Sequence, residues 1–542
     1  MVFLSSEEKL SRLNSEKGLN TETEMMLWET TATDYRGDWI ETGHSDYATH
    51  TEIGNTETKR GKTDSAIFSL YSSGIITQQD HLAITSDRDT ATERGEAMVA
   101  LFNHYAINGR IPDKGNEDEA SVLKWEWKPL EKVAKGQPVE FREENVREVM
   151  FRPFLSQYVV WHKTFNWSQY RLNDMFAVHS GLDTELELVQ AEESKMLTPP
   201  RMWRSRVQFA SQVSGTLTST VPSQTHRQTY ISTTEQPSAS EDTVSQTVIS
   251  VAGVGSATGF RAIAHLLTPD LGLAEKTQCF PRYRLVPTES LNLGGIFEAE
   301  VSTDGDGVLH GQPADEGRVW VDNITDTALR LYRDNYSDDS IVKDDIFFYV
   351  YGLLHSEGYR SKYKNDLKKE LPRIPMAPDF WSFSVAGRKL ADLHCGYDTL
   401  EGYPEDKLEF VFSDDHKQTL RGETPTDKKG EPVDTWRCEK KPQWKNDEHT
   451  ILRLNAHITI KNIPAAAHLY KLAGKSPLEI FASEYYVKRH KETGIENDRN
   501  LMFKDNPSEL LLRIRQLIQV GMETSQILTE LPEEFEDTKG SV

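Results

Sequence analysis

The stretch from Asp344 to Pro375, DDIFFYVYGLLHSEGYRSKYKNDLKKELPRIP, decides how the rest of the chain is interpreted. Its first half is apolar and aromatic, which predicts a buried helix. Its second half is a basic strip opposed only by Asp366 and Glu370, and Pro372 and Pro375 end any helix there. The strip is unusual in a chain of formal charge −23. Its cations are Arg360, Lys362, Lys364, Lys368, Lys369 and Arg373.

The basic strip has two interpretations. On one continuous helix, Arg360, Lys364 and Lys368 would share a face and could bind an anionic partner. Like charges at that spacing repel by about 0.2–0.5 kcal/mol per pair, a cost that an exposed helix tolerates. Alternatively, carboxylates from elsewhere in this acidic chain pair with the strip, which would then be a structural brace.

The strip belongs to a series of motifs that resembles the C-terminal specificity region of type ISP restriction-modification enzymes. Those enzymes join a nuclease, a helicase-like motor, an adenine methyltransferase and a target recognition domain in one chain. The resemblance is strongest from Asn323 to Asp498. The other matching segments are Leu4–Leu10, Gly37–Ile40, Ile67–Gly74, Phe151–Phe154, Gln169–Leu172, Ser250–Ser256, Thr277–Pro281, Ala377–Trp381, Ala386–His394, Gly474–Glu479 and Thr493–Asp498.

The motifs of the family's chemistry are absent from the sequence. There is no Gly-x-x-x-x-Gly-Lys-Ser/Thr loop to hold nucleotide phosphates and no Asn-Pro-Pro-Tyr run to hold a flipped adenine. The segment Pro269–Lys276 has carboxylates and a lysine, but they are too close together for a nuclease site on paired strands. We therefore expect no catalytic residue here, and a non-catalytic specificity part, either an excised piece or a separately encoded subunit.

Composition is typical of a folded protein with several cores. The chain has 542 residues, of which 37% are hydrophobic and 9% aromatic. No apolar run is long enough to span a membrane, and the start is polar and acidic rather than a secretory signal. The three cysteines are far apart and odd in number, which is typical of reduced thiols in a cytoplasm. The acidic balance argues against nucleic acid, but local charge decides such binding because the Debye length is about 8 Å.

Two further patterns suggest small-ligand sites, and neither is specific. Val248–Val251 followed by closely spaced glycines, with Glu275 further on, could be a dinucleotide loop, although one strand-helix unit is weak support. A glycine turn that allows close packing is the alternative. His449 and His457 lie eight residues apart without a cysteine pair nearby, so we expect no metal and no cofactor.

A second unusual segment runs from residue 195 to 234 and contains no Asp or Glu. It could be a flexible polar loop or an extra hairpin inserted into the family pattern. It could also face DNA, because guanidinium groups bind phosphates and guanine edges while hydroxyls bind phosphates without adding charge. In that case the contacts come from Arg201, Arg204 and Arg206.

We predict a mixed α+β fold. Residues 1–33 form a linker or the end of a methyltransferase-like region, and residues 34–320 a β-containing recognition unit. Residues 321–531 form a mainly helical unit with a small β insert near Leu408–Thr459, and 532–542 a disordered acidic tail. Residues 509–530 have an amphipathic stripe, which is more often core than a docking surface.

The resemblance implies sequence-specific recognition of double-stranded DNA beside a methyltransferase and helicase/nuclease modules, in the same or a separate chain. Lys and Arg would bind phosphates while a few side chains read base edges. The alternative is a protein-docking subunit that assembles such a complex without touching DNA. The candidate DNA-binding residues are Arg201, Arg204, Arg206, Arg360, Lys362, Lys364, Lys368 and Lys369.

Overall fold

The computed structural model describes residues 42–59, 64–108, 123–125, 128–176, 246–287, 313–315 and 317–536. The predicted N-terminal linker and the acid-free insertion at 195–234 lie outside these residues. Within them, no helix is both long and apolar enough to cross a membrane.

Local capping signals set several helix starts. Thr325, rather than the nearby Asn323, caps the helix that begins at Asp326, because its hydroxyl accepts the amide of Ala328. Asn323 is instead fully buried and bonds to the backbone of Leu70 and Pro281. The described α-helices are α1 (Thr56–Lys59), α2 (Asp80–Ala83), α3 (Arg88–Asn108), α4 (Lys128–Ala134), α5 (Asp326–Tyr336), α6 (Lys343–Leu353), α7 (Glu357–Lys362), α8 (Asp366–Lys369), α9 (Phe380–Cys395), α10 (Asp414–Leu420), α11 (Pro477–Glu484) and α12 (Glu509–Thr529).

The strands are short and mostly antiparallel. They are β1 (Thr51–Glu52), β2 (Ser72–Ser73), β3 (Ile84–Thr85), β4 (Val146–Arg152), β5 (Leu155–Val160), β6 (Val248–Val251), β7 (Ala262–His265), β8 (Thr268–Pro269), β9 (Gln278–Pro281), β10 (Tyr283–Pro287), β11 (Pro313–Asp315), β12 (Arg318–Asp322), β13 (Arg373–Ile374), β14 (Glu409–Phe412), β15 (Gln443–Trp444), β16 (Leu452–Arg453), β17 (Ile458–Lys461), β18 (Val487–Arg489) and β19 (Glu496–Asp498).

Two four-stranded sheets build the N-terminal half, in the orders β2-β9-β6-β7 and β3-β5-β4-β8. A third, β14-β17-β16-β15, is the small β insert within the helical half. Smaller sheets have the order β10-β12-β11 and the pairs β1-β13 and β18-β19. The predicted mixed α+β fold, with a mainly helical C-terminal part and a β insert, is confirmed.

Helices α6 and α9 form the centre of the helical part and cross with their backbones in contact. Ile346 to Leu353 are all buried, as the aromatic run predicts. The crossing depends on two glycines: a Cβ on Gly387 would lie 1.9 Å from the Phe348 carbonyl oxygen, and one on Gly352 would lie 2.2 Å from that of Phe383. No side chain fits at either position.

The halves share their hydrophobic cores rather than packing as separate units. The ring of Phe68 lies 6.0 Å from that of Phe347, and Phe154 lies 5.5 Å from Tyr397. The pairing of β1 with β13 also joins the first described segment to the end of the basic strip. The division near residue 320 stays a prediction about chain organisation.

The disorder predicted from residue 532 onward is wrong for residues 532–536. Phe535 is 8% exposed, and its ring lies 6.1 Å from the rings of Tyr359 and Tyr363. Glu536 forms an ion pair with Lys362. One aromatic residue in an acidic tail therefore anchors the start of that tail to the body of the protein.

Candidate nucleic-acid interface

The basic strip is not one helix. Helix α7 ends at Lys362, α8 begins at Asp366, and Tyr363 between them has φ −95° and ψ 21°. Tyr363 is buried, and its ring centroid lies 4.8 Å from that of Tyr47. Burying this ring breaks the helix, so Arg360, Lys364 and Lys368 do not share one continuous face.

Arg360 points into the protein. Its guanidinium lies over the Phe260 ring, 5.7 Å from the centroid, and burial lowers the pKa of its side chain. Its Nε and Nη2 atoms are shielded from solvent and have no hydrogen-bond partner among the described residues. This geometry does not offer Arg360 to a phosphate on the protein surface.

Lys362 and Arg373 are braced by carboxylates from distant segments. The Nζ atom of Lys362 lies 2.5 Å from both Asp46 and Glu536. Arg373 lies 2.8 Å from Glu52 and 3.1 Å from Glu370. For these two residues the contacts favour the structural-brace interpretation.

The remaining lysines of the strip are on or near the surface of α8. Lys364 is exposed and has no side-chain partner among the described residues, and Lys368 and Lys369 are half-buried. The backbone oxygen of Lys368 accepts the amide of Gly255 at 2.8 Å. Helix α8 therefore lies directly beside the glycine turn that follows β6.

The glycine turn is not a dinucleotide loop. It joins β6 to β7 in an antiparallel hairpin, so the helix that such a loop requires is missing. Its backbone amides are occupied by the chain's own Glu275, whose carboxylate accepts the amides of Ala257 at 2.8 Å and Thr258 at 3.1 Å. These hydrogen bonds, with that from the Thr258 hydroxyl the largest contribution, lower the pKa of Glu275 to about 2.

Two basic side chains contact this turn. Arg261 donates to Glu275 at 3.2 Å, and Lys276 Nζ donates to the Gly255 carbonyl at 2.8 Å. Glu275 and Lys276 both have positive φ, at 62° and 56°. Two consecutive non-glycine residues with positive φ are uncommon. This backbone conformation places the side chains of both residues against the turn.

A cleft of about 560 Å³ opens beside the turn, between the N-terminal half and α11. Its other wall includes Ile480, Ser483 and Glu484. Among the described lining residues, four are basic and four acidic: Arg152, Arg261, Lys276, Lys475, Asp80, Asp270, Glu275 and Glu484.

Arg152, which the family motif contains, has a structural contact inside this cleft. Its guanidinium lies 2.9 Å from Asp270 and over the Phe151 ring, 3.8 Å from the centroid. Burial raises the pKa of Asp270 to about 6, and Arg152 opposes that rise by stabilising the carboxylate. Arg171 likewise pairs with Asp174 at 2.7 Å.

Sequence reasoning did not find Arg261, Lys276 or Lys475, because they are distant from the strip along the chain and only the fold gathers them. It also missed Arg94, which is fully buried and donates to the backbone of Glu496 and the side chain of Asn497. No local pattern indicates a partner about 400 positions away. Arg201, Arg204 and Arg206 lie outside the described residues.

The comparisons with known proteins place the chain in a family. Residues 66–196 and 223–513 match the Type ISP C-terminal specificity domain. The chain belongs to this family, and the predicted resemblance is confirmed. No curated protein matches it.

Three solved structures have a similar fold. A nuclease-deletion mutant of the Type ISP restriction-modification enzyme LlaGI, in complex with a DNA substrate mimic, is 21% identical, with a TM-score of 0.64 over 99% of this chain and 32% of that one. The ATP-dependent Type ISP enzyme LlaBIII bound to DNA is 20% identical, with a TM-score of 0.68 over 98% and 27%. The DrdV–DNA complex is 21% identical, with a TM-score of 0.63 over 97% and 42%. This chain thus spans less than half the length of each.

Proposed function

We propose that this chain recognises a specific sequence in duplex DNA as the specificity component of a restriction-modification system. The observation that carries the proposal is family membership, together with a fold shared over at least 97% of the chain with three proteins solved with DNA or a DNA mimic. The methyltransferase and the helicase/nuclease modules would be supplied by other parts of the same chain or by separate chains. The three unpaired cysteines support a cytoplasmic location.

The proposed phosphate-binding surface consists of Lys364, the exposed side of α8 that follows it, and the adjacent glycine turn. Lys364, Lys368 and Lys369 would bind phosphates, and Lys276 extends the same surface because the turn lies against α8. Phosphate contacts of this kind fix register and orientation without reading sequence. Arg201, Arg204 and Arg206 remain proposed contacts, since guanidinium groups can read guanine edges.

Arg360 and Lys362 are the weakest members of the predicted set. Arg360 is turned inward and Lys362 already neutralises two carboxylates. We propose that Arg360 and Lys362 stabilise the strip from inside the protein, and that the remaining lysines of the strip contact DNA.

The net charge of −23 is compatible with this function. At physiological salt the Debye length is about 8 Å, so carboxylates on distant surfaces act weakly on a bound duplex. A neighbouring methyltransferase would flip its target base once the specificity component has fixed the register.

The alternative of a protein-docking subunit would use the amphipathic stripe of residues 509–530 as its docking surface, and the structure does not favour this. The apolar stripe of α12 is used inside the molecule, where Leu510, Ile514, Leu517 and Ile518 are buried in the core. That helix has no apolar face left for a partner at those positions.

Salt dependence of DNA affinity tests the proposal. We expect log K for a duplex to fall linearly with log salt, with a slope that counts several phosphate contacts. Fluorescence anisotropy of a labelled duplex, titrated with the full chain over a range of salt concentrations, measures it. Absence of binding at low salt would contradict DNA as the partner.

A further inference from the structure

Three side chains with metal-binding donor atoms converge from three separate elements. His449 lies in the turn between β15 and β16, His468 ends a 3₁₀ turn at Ala465–His468, and Glu479 lies in the first turn of α11. The Nδ1 atom of His449 contacts Glu479 Oε1, and His468 Nδ1 lies 3.9 Å from the same oxygen. The three donor atoms all lie within 4.8 Å of one another.

Hydrogen bonds orient the ring of His468 for ligation. Its Nε2 atom lies 3.1 Å from the backbone oxygen of His449, which can only accept, so Nε2 carries the proton. Nδ1 is then the unprotonated nitrogen. It accepts the Ser476 hydroxyl at 2.8 Å and lies 3.9 Å from Glu479 Oε1, so an ion bound here would displace that hydroxyl. A backbone carbonyl that accepts from the far nitrogen of a histidine is one of the common supports of a metal-bound imidazole.

His449 is held in place by two features of its own. Its φ is +54°, in the left-handed region that non-glycine residues rarely adopt. The Trp444 ring stacks on it at 4.6 Å with an interplanar angle of 16°. The side chain of His449 remains 34% exposed, so water reaches the cluster from one side.

We propose that His449, His468 and Glu479 bind one divalent ion of the zinc class, with water at the fourth position. Two imidazoles and a carboxylate are donors that zinc accepts in sites with an open position. Donors about 2.0–2.2 Å from a tetrahedral ion lie about 3.3 Å apart, so the observed separations need only small side-chain movements.

The other histidine-carboxylate group among the described residues does not fit an ion. Asp46, His50 and Glu536 also lie close together, but Lys362 Nζ sits 2.5 Å from both carboxylates. A cation already occupies that position. His50 therefore serves as a matched control.

The ligand spacing explains why sequence alone predicts no metal. His449 is 19 positions from His468 and 30 from Glu479, which fits no short zinc motif. His457, which the sequence pairs with His449, instead bonds to Ser413 at 2.9 Å.

A bound ion would join the β insert to α11. Residues 480, 483 and 484 of that helix line the cleft, so the ion would fix one cleft wall. The site does not depend on the proposed DNA function, and it can be tested without DNA.

The test is zinc titration of the full chain, stripped with chelator, in competition with a zinc-binding dye. We expect one equivalent to bind. His449→Asn keeps a residue that tolerates left-handed backbone, and Glu479→Gln keeps the capping box with Ser476. Each variant should lose at least about tenfold in affinity, and His50→Asn should bind like the wild type.

Thermal unfolding provides the second readout. Without metal, His449→Asn and Glu479→Gln should melt close to the wild type. Zinc should raise the midpoint of the wild type and of His50→Asn, and leave the midpoints of His449→Asn and Glu479→Gln unchanged. Equal zinc affinity in His449→Asn and the wild type, or no stoichiometric binding, would overturn the proposal and leave a hydrogen-bonded cluster.

Discussion

Lys362 shows how a residue in a basic strip can be used for folding rather than binding. Its ammonium group joins Asp46 to Glu536, which are 316 and 174 positions away along the chain. The hydroxyl of Tyr363 also donates to Glu536, at 2.8 Å. One lysine and one tyrosine thus hold both ends of the described chain against the strip.

The lysine before α8 and the two lysines within it are expected to bind DNA, unlike Lys362. Replacing Lys364, Lys368 and Lys369 with Gln should weaken binding to all duplexes and make the salt slope shallower by roughly one unit per lost phosphate contact. Anisotropy titrations across a salt series measure the slope. The midpoint of thermal unfolding should stay nearly constant.

The matched control for these three lysines replaces Lys428, Lys429 and Lys491, which are exposed in other parts of the chain. This control changes net charge equally and should leave the salt slope intact. If the variant of Lys364, Lys368 and Lys369 loses stability and keeps the wild-type salt slope, these lysines are not a DNA site.

Lys362 is expected to contribute to stability instead. Replacing Lys362 with Met should lower the free energy of unfolding by about 1 kcal/mol, a small loss because its ion pairs are partly exposed.

Glu275 leads to a prediction about pH. Its folded pKa of about 2 lies below the ordinary 4.5, so its contribution to stability is present above pH 4.5 and is lost as pH falls toward 2. Glu275→Gln should be less stable than the wild type at pH 7, and the gap should narrow below pH 4.5. Urea unfolding of both proteins from pH 7 to pH 3 measures it. A gap that does not change with pH would show that the carboxylate charge is unimportant.

At the level of elements, the contact between α6 and α9 fixes the helical part. Each helix approaches the other through a glycine, so the contact has no room for side chains. The aromatic rings of α6 pack around it, with Tyr349 stacked on Phe380 at 4.9 Å. The basic strip follows directly after α6, and its position therefore depends on this crossing.

Gly387→Ala should destabilise the protein by about 1–3 kcal/mol, because its Cβ would overlap the Phe348 carbonyl and separate the helices. Urea unfolding measures the loss. Val385→Ala, on the exposed face of the same helix, should change stability by less than about 0.5 kcal/mol. Equal effects of the two substitutions would contradict the close crossing.

Elements with local signals could be predicted from sequence, and those with remote causes could not. The aromatic run of α6 and the stripe of α12 are buried as their patterns indicate. The break between α7 and α8 was missed, because it depends on Tyr47 and Phe535 packing against Tyr363 from opposite ends of the chain. Likewise, the helix that a strand-helix unit would place after β6 is the strand β7, since Ala262–His265 pairs with β6.

At the scale of the whole molecule, the shared cores join the described residues of both halves into one connected scaffold. Arg94 and Arg499 show this, since each is buried and donates across the two halves, Arg94 to Asn497 and Arg499 to Gln157. Burial lowers the pKa of both, to about 10, so both remain charged at neutral pH. These contacts connect the segments that carry the proposed DNA-binding surface to the rest of the described residues.

Selection from a random-sequence duplex library tests sequence-specific recognition most directly. The full chain would be incubated with the library at moderate salt, and bound duplexes would be amplified and sequenced over several rounds. We predict enrichment of one short sequence, with each mismatched base pair costing about 1–3 kcal/mol. Binding without enrichment of any sequence would contradict a specificity function.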